Sequence, residues 1–182
     1  MLILNIKKTS LFDEEKEEFV DIPEMKIELE HSLASLSKWE GIWNTPFLTS
    51  REMTTEQTMS YVDCMLMTPG VPREVVENLT NEHLTQIRDY IAATKTATTF
   101  REDPNARKST EIVTAEIIYQ WMVAFNIPFD PCEYWHLDKL ITLVKVCNEK
   151  SKDPKKRKLK QSDLADRAAE NARRRAAMGT TG

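Results

Sequence analysis

The hydrophobic pattern of this chain changes at His31-Ser32-Leu33-Ala34-Ser35-Leu36-Ser37-Lys38-Trp39-Glu40. Within and after this stretch, apolar residues recur at spacings of three and four, which place Leu36, Trp39 and Trp43 on one face of a helix. Before it, apolar residues alternate with polar ones, as in a strand with one buried face. The sequence therefore predicts a mainly α fold, with a β element before this stretch and helices after it.

The β element covers residues 1–30 and is predicted to be a small antiparallel meander. Leu2–Ile6 and Met25–Leu29 both show the alternation expected of strands. Phe19–Ile22 supplies a short middle strand between them, and the acidic residues 13–18 form a solvated turn.

The helices cover residues 31–149, and their bounds follow from apolar periodicity and capping residues. They are predicted at residues 31–43, 55–68, 72–79, 80–93, 109–126 and 131–149. The last two have the largest apolar faces and a short connection, so they should form the central antiparallel pair, with Ile117 in the core. Residues 94–108 lack any periodicity and predict an exposed loop.

The two ends of the chain differ in charge. Residues 1–149 carry 25 acidic and 14 basic side chains, a net charge of −11. Residues 150–182, the basic tail, carry 4 acidic and 11 basic side chains, a net charge of +7. Because the basic tail has few large apolar residues, burial cannot offset the entropy of ordering it. We therefore predict one globular domain over residues 1–149 and a disordered extension over 150–182.

The cellular location follows from what the sequence contains. No segment has the roughly 20 apolar residues that a membrane-spanning helix needs. Cys64, Cys132 and Cys147 are odd in number and lie in apolar helical patterns, which favours free thiols in a reducing compartment. We expect synthesis in a cytoplasm.

Candidate chemistry is sparse. Glu133 and His136 share a helix face at i and i+3, but a di-metal bundle site would need a second such motif and more carboxylates. Cys132 lies four residues before His136 without a third orienting residue or a glycine-rich oxyanion loop. No phosphate loop, paired Cys-x-x-Cys or His-Glu-x-x-His occurs. The sequence predicts no catalytic residue, no metal site and no cofactor.

Two groups of residues are candidates for partner binding. Tryptophan and methionine are favoured at adaptable binding surfaces, although most of them serve as core residues. The arginines and lysines of the basic tail suit contact with an acidic protein surface or nucleic acid, and the alternative is that the tail is only a soluble, charged extension. The tail lacks interleaved aromatic residues, so stacking on single-stranded nucleic acid is not supported. The candidate residues are Trp39, Trp43, Met65, Met67, Lys155, Lys156, Arg157, Arg173, Arg174 and Arg175.

Several strings spread over most of the chain resemble a protein of tailed bacteriophages. They include Leu29-Glu30-His31-Ser32-Leu33, Ser35-Leu36-Ser37-Lys38-Trp39-Glu40, Pro46-Phe47-Leu48, Thr96-Ala97-Thr98-Thr99-Phe100, Glu111-Ile112-Val113-Thr114-Ala115-Glu116-Ile117-Ile118-Tyr119, Asn126-Ile127-Pro128-Phe129, Trp135-His136-Leu137, Asn171-Ala172-Arg173-Arg174 and Gly179-Thr180-Thr181-Gly182. In these strings the chain is similar to tail assembly chaperones of long-tailed phages.

The resemblance implies a function in tail assembly. Such chaperones bind the tape-measure protein and keep its long helical chain soluble until the tail tube polymerises around it. The expected setting is the cytoplasm of an infected bacterium, and the expected partner is the tape measure. The alternative is a structural protein of the neck or tail that makes subunit contacts in the mature particle. The sequence leaves open a homo-oligomer and a frameshifted longer form.

Overall fold

The computed structural model describes residues 1–13, 17–50, 52–100, 112–151, 169–171 and 173–174. The fold is mainly helical with a small antiparallel β element at the N-terminus, which confirms the predicted class. No helix among the described residues is both long and apolar enough to cross a membrane.

Four short strands form two separate antiparallel pairs. Strand β1 (Leu2–Ile6) pairs with β4 (Met25–Leu29), and β2 (Thr9–Asp13) pairs with β3 (Glu18–Ile22). The predicted meander is therefore wrong, because β3 has its own partner in β2 and β1 reaches β4 directly. The other edge of β4 hydrogen-bonds to the chain that follows α2, where the Met67 amide donates to the Glu28 carbonyl over 2.8 Å.

The helices follow the order of the predicted ones with shifted ends. They are α1 (Leu33–Trp43), α2 (Thr55–Met65), α3 (Arg73–Glu77), α4 (Asn81–Ala92), α5 (Ala115–Ala124), α6 (Phe129–Cys132) and α7 (Leu137–Ser151), with a 3-10 helix at Phe47–Thr49 between α1 and α2. Ser32, Thr54 and Thr80 cap α1, α2 and α4, and each forms a reciprocal capping box with the third helical residue. These local signals explain why the starts of α1, α2 and α4 were predictable.

The predicted helix over 131–149 is interrupted. Helix α6 ends at Cys132, and the chain then leaves the helical path to hydrogen-bond with His31 and the first turn of α1. The Ala34 amide donates to the Glu133 carbonyl over 3.1 Å, and the Leu137 amide donates to the His31 carbonyl over 2.7 Å. Those long-range bonds compete with the helix and end it before α7 begins.

Helix α5 packs on α1, and its predicted antiparallel pairing with α7 stays a prediction. Helix α5 is apolar nearly all round, yet only one side is buried: Ile118 has 0% of its surface exposed, whereas Val123 on the same helix has 63%. Ile117, which was expected in the core, is only half-buried. The predicted loop at 94–108 and the start of the helix predicted at 109 lie partly outside the described residues.

The core is built around α1, the inner faces of β1 and β4, and α2. Trp39 has none of its surface exposed, and it packs in one cluster with Leu4, Ile27 and Met65. Full burial of a side chain of this size contributes about 1.5–3 kcal/mol or more relative to exposure. The segment around Trp39 therefore lies at the centre of this core cluster.

The chain divides into two units, Met1–Lys145 and Val146–Gly182. Helix α7 crosses this division. Beyond α7, the described residues of the second unit are helical, and Glu170 and Arg174 form an ion pair of 3.1 Å. The prediction of a disordered tail over 150–182 falls largely on residues outside the described part of the chain.

Candidate protein-binding groove

An apolar groove of about 570 Å³ lies between α2 and α4. Helix α2 contributes Thr58, Tyr61 and Val62, and the 3-10 helix and the loop after it contribute Phe47 and Met53. The volume falls within the range of about 300–1,000 Å³ that is typical of binding pockets. The groove is open to solvent, so a partner could enter from one side.

Helix α4 forms the second wall. It contributes Asn81, Leu84, Thr85, Ile87, Arg88 and Ile91, which recur at spacings close to i, i+3, i+4, i+7 and i+10. Such a stripe usually packs against another helix. Here Ile87 is buried against the core, while Leu84 and Ile91 are only half-buried and Arg88 is exposed. The solvent side of this stripe is therefore not covered by any described element.

Aromatic side chains form the base of the groove at its α2 side. The rings of Phe47 and Tyr61 lie 4.1 Å apart, and Phe47 makes an edge contact with Trp39 at 5.2 Å. The Trp39 indole donates to the Gln57 carbonyl over 2.9 Å, and the Trp43 indole donates to Ser60 Oγ over 3.0 Å. These two bonds join α1 to α2 beneath the aromatic base of the groove.

Two buried histidines lie next to this aromatic base. Nδ1 of His31 and the Tyr61 hydroxyl form a hydrogen bond of 2.5 Å, and the His31 ring meets that of His136 edge-on at 5.3 Å. His136 Nδ1 accepts from the Asp138 amide over 3.3 Å, which leaves Nε2 to donate to the Tyr90 carbonyl over 3.1 Å. Burial, and secondarily the neighbouring His136, lowers the pKa of His31 to about 4. His31 is therefore neutral at pH 7.

Two buried carboxylates connect distant segments. Glu30 accepts from the Tyr90 hydroxyl over 2.7 Å and pairs with the Met1 amino group over 2.7 Å. Burial raises the pKa of Tyr90, and its hydrogen bond to Glu30 adds to this effect. Glu40 uses one oxygen for the Phe47 amide at 2.8 Å and the other for the Ala115 amide at 2.7 Å. The Glu40 carboxylate thus holds the 3-10 helix and the start of α5 on α1.

The residues considered for chemistry do not form a catalytic arrangement. Glu133 accepts from the Tyr119 hydroxyl over 2.8 Å, while His136 bonds to the Tyr90 carbonyl, so their side chains engage different partners. Cys132 is buried, and no group of three or more metal-ligating side chains occurs within the described part of the chain.

The residues predicted to bind a partner are scattered. Trp39 and Met65 are fully buried, so in this structure they could influence binding only through the fold. Trp43 is half-buried, and Met67 has 44% of its surface exposed. Arg173 and Arg174 are exposed in the second unit. The remaining candidates, Lys155, Lys156, Arg157 and Arg175, lie outside the described residues.

Sequence reasoning missed the groove as a site. The sequence indicates an apolar face of Leu84, Ile87 and Ile91 on the helix predicted at 80–93, but it does not show that part of this face is open to solvent. The sequence signal that was available is the position of Arg88 and Thr85 within that stripe, which marks one side of it as solvent-facing.

No family model, curated protein or solved structure matches this chain.

Proposed function

We propose that this chain is a non-enzymatic morphogenesis factor of a long-tailed bacteriophage, which binds the tape-measure protein and keeps it soluble during tail assembly. The identity of the partner rests on the resemblance of the strings quoted above. The structural observation that supports protein binding is the open apolar groove between α2 and α4. The proposed setting is the cytoplasm of the infected host.

The groove suits the chemistry of such a partner. An unassembled helical chain exposes apolar side chains that would otherwise aggregate, and an apolar groove can cover them. The groove wall is mostly apolar, with Leu84 and Ile91 accessible beside the aromatic base. Each square ångström of apolar surface covered on binding contributes about 25 cal/mol before the costs of association.

The charge of the chain suits a solubilising role. Residues 1–149 have a net charge of −11, and like charges on the outside of complexes oppose their association. The basic tail, with a net charge of +7, would supply a second, salt-sensitive contact to an acidic segment of the partner. The groove and the tail are thus two separable contributions to one binding function.

Co-expression tests this proposal. The tape-measure protein of the same phage is expressed in bacteria with this chain and with an unrelated acidic protein of similar size, and its soluble fraction is measured. The proposal predicts that only this chain keeps the tape measure soluble. Equal aggregation in both cultures would rule it out.

The second candidate is a structural protein of the neck or tail. The observation in its favour is the exposed apolar surface around α5, where Ile112 and Val123 have 56% and 63% of their surface exposed. Such residues could form contacts between subunits of a particle. Quantitative mass spectrometry of purified virions separates the two candidates, since a structural protein is present in many copies and a released chaperone is absent.

A further inference from the structure

We infer that the groove between α2 and α4 accepts a single amphipathic helix of a partner protein, which carries apolar residues at i, i+3, i+4 and i+7 and an acidic residue opposite Arg88. This inference rests on the proposed function only in taking the partner to be a protein. It specifies the surface of this chain that binds, the helical conformation of the bound segment, and the acidic residue that this segment places opposite Arg88.

The length of the groove favours a helix. From Asn81 to Ile91 the wall formed by α4 extends over eleven residues, or about 15 Å for the ten rises of 1.5 Å between them. Apolar anchors at i and i+7 of a helix are about 10–11 Å apart, so two turns fit within this wall. Side chains at the spacing of the α4 stripe form a ridge along the helix. Such a ridge packs into the groove between two ridges of another helix.

The positive charge of Arg88 favours a partner helix with an acidic residue beside its apolar face. Arg88 is exposed and lines the groove, and it makes no ion pair or hydrogen bond with any described residue. It is also the one charged side chain among the described residues that line the groove. A carboxylate on the incoming helix would pair with it, whereas a lysine there would be repelled. This asymmetry distinguishes a helix with an acidic flank from a small apolar ligand, which would gain nothing from the cation.

Synthetic peptides test the charge selection. Two 18-residue helical peptides share leucines at i, i+3, i+4 and i+7, and differ only in a glutamate or a lysine at the flanking position. Binding to the full chain is followed by amide chemical shifts and by fluorescence anisotropy. We expect shifts confined to α2, α4 and the 3-10 helix, and roughly two- to tenfold tighter binding of the glutamate peptide.

Two pairs of variants locate the binding surface. Arg88→Glu should reverse the preference for the glutamate peptide, while Lys38→Glu, on the exposed side of α1, should leave it unchanged. Thr85→Trp should fill the groove and abolish binding, while Gln86→Trp, exposed and outside the groove, should not. All four positions are at least partly exposed, so the fold should survive, which circular dichroism can verify.

Several outcomes would overturn the inference. They are equal affinity of the two peptides, shifts centred elsewhere, absence of saturable binding at millimolar peptide, and self-association that Thr85→Trp abolishes, which would make a second copy the occupant. None of these bears on whether the tape measure stays soluble. Conversely, peptide selectivity at Arg88 together with an aggregating tape measure would sustain the groove and refute the proposed partner.

Discussion

Replacement of His31 by asparagine should remove a specific part of the pH dependence of stability. His31 is buried, its Nδ1 is hydrogen-bonded to the Tyr61 hydroxyl, and its pKa is lowered to about 4 by burial and by His136. In the unfolded chain a histidine has a pKa of about 6.5. Between these two values the unfolded state binds more protons than the folded state, so stability falls as the pH is lowered.

The magnitude follows from the difference between the two pKa values. Each pKa unit corresponds to about 1.36 kcal/mol, so the full effect is about 3 kcal/mol once the pH is well below 4. Between pH 7 and pH 5 the contribution of His31 to the free energy of unfolding should decrease by about 2 kcal/mol. Asparagine keeps an acceptor near the Nδ1 position and does not titrate in this range.

Urea unfolding followed by tryptophan fluorescence at pH 7, 6 and 5 measures this effect. The wild type should lose about 2 kcal/mol more than His31→Asn over that interval, whatever the offset between the two proteins at pH 7. A constant difference between the wild type and His31→Asn at all three pH values would refute the account of His31 as a buried neutral group.

Three further predictions concern stability. Ile118→Asp should unfold the domain, because it places an unpaired charge in the core. Val123→Asp, on the exposed side of the same helix, should change the free energy of unfolding measured in urea titrations by no more than about 0.5 kcal/mol. Glu40→Ala should cost about 2–5 kcal/mol by the same assay, since the buried Ala115 amide and the partly buried Phe47 amide lose a charged acceptor. Glu40→Gln, which keeps one acceptor oxygen, should cost less. Truncation after Glu149 should leave the thermal transition in calorimetry within a few degrees of the wild type but weaken partner binding at low salt; a large drop in melting temperature would place the tail within the folded core.

Local signals made part of the fold predictable. The starts of α2 and α4 follow from Thr54 and Thr80, whose side chains accept from backbone amides three residues later. The burial of Trp39 follows from its place in a stripe of spacing three and four. In each case the structure depends on residues within one or two turns of each other, so the sequence pattern is sufficient.

Long-range pairings were not predictable in the same way. The β1 strand passes over its neighbours in sequence to pair with β4, and the segment before α7 leaves the helical path to bond with His31 and Ala34. Local periodicity does not show which distant segment either of these two stretches hydrogen-bonds with. The apolar circumference of α5 indicated a central helix, but periodicity cannot show that Val123 has 63% of its surface exposed. The groove arises from the placement of α2 against α4, which likewise depends on tertiary contacts.

The central claim is that this chain binds an unassembled tail protein through the groove. The most direct measurement is the amount of this chain that copurifies with an affinity-tagged tape-measure protein after co-expression, for the wild type, Thr85→Trp and Gln86→Trp. The account predicts a stoichiometric soluble complex with the wild type and Gln86→Trp, and loss of the complex with Thr85→Trp. Recovery of no complex with the wild type, or of the same complex with all three proteins, would contradict it.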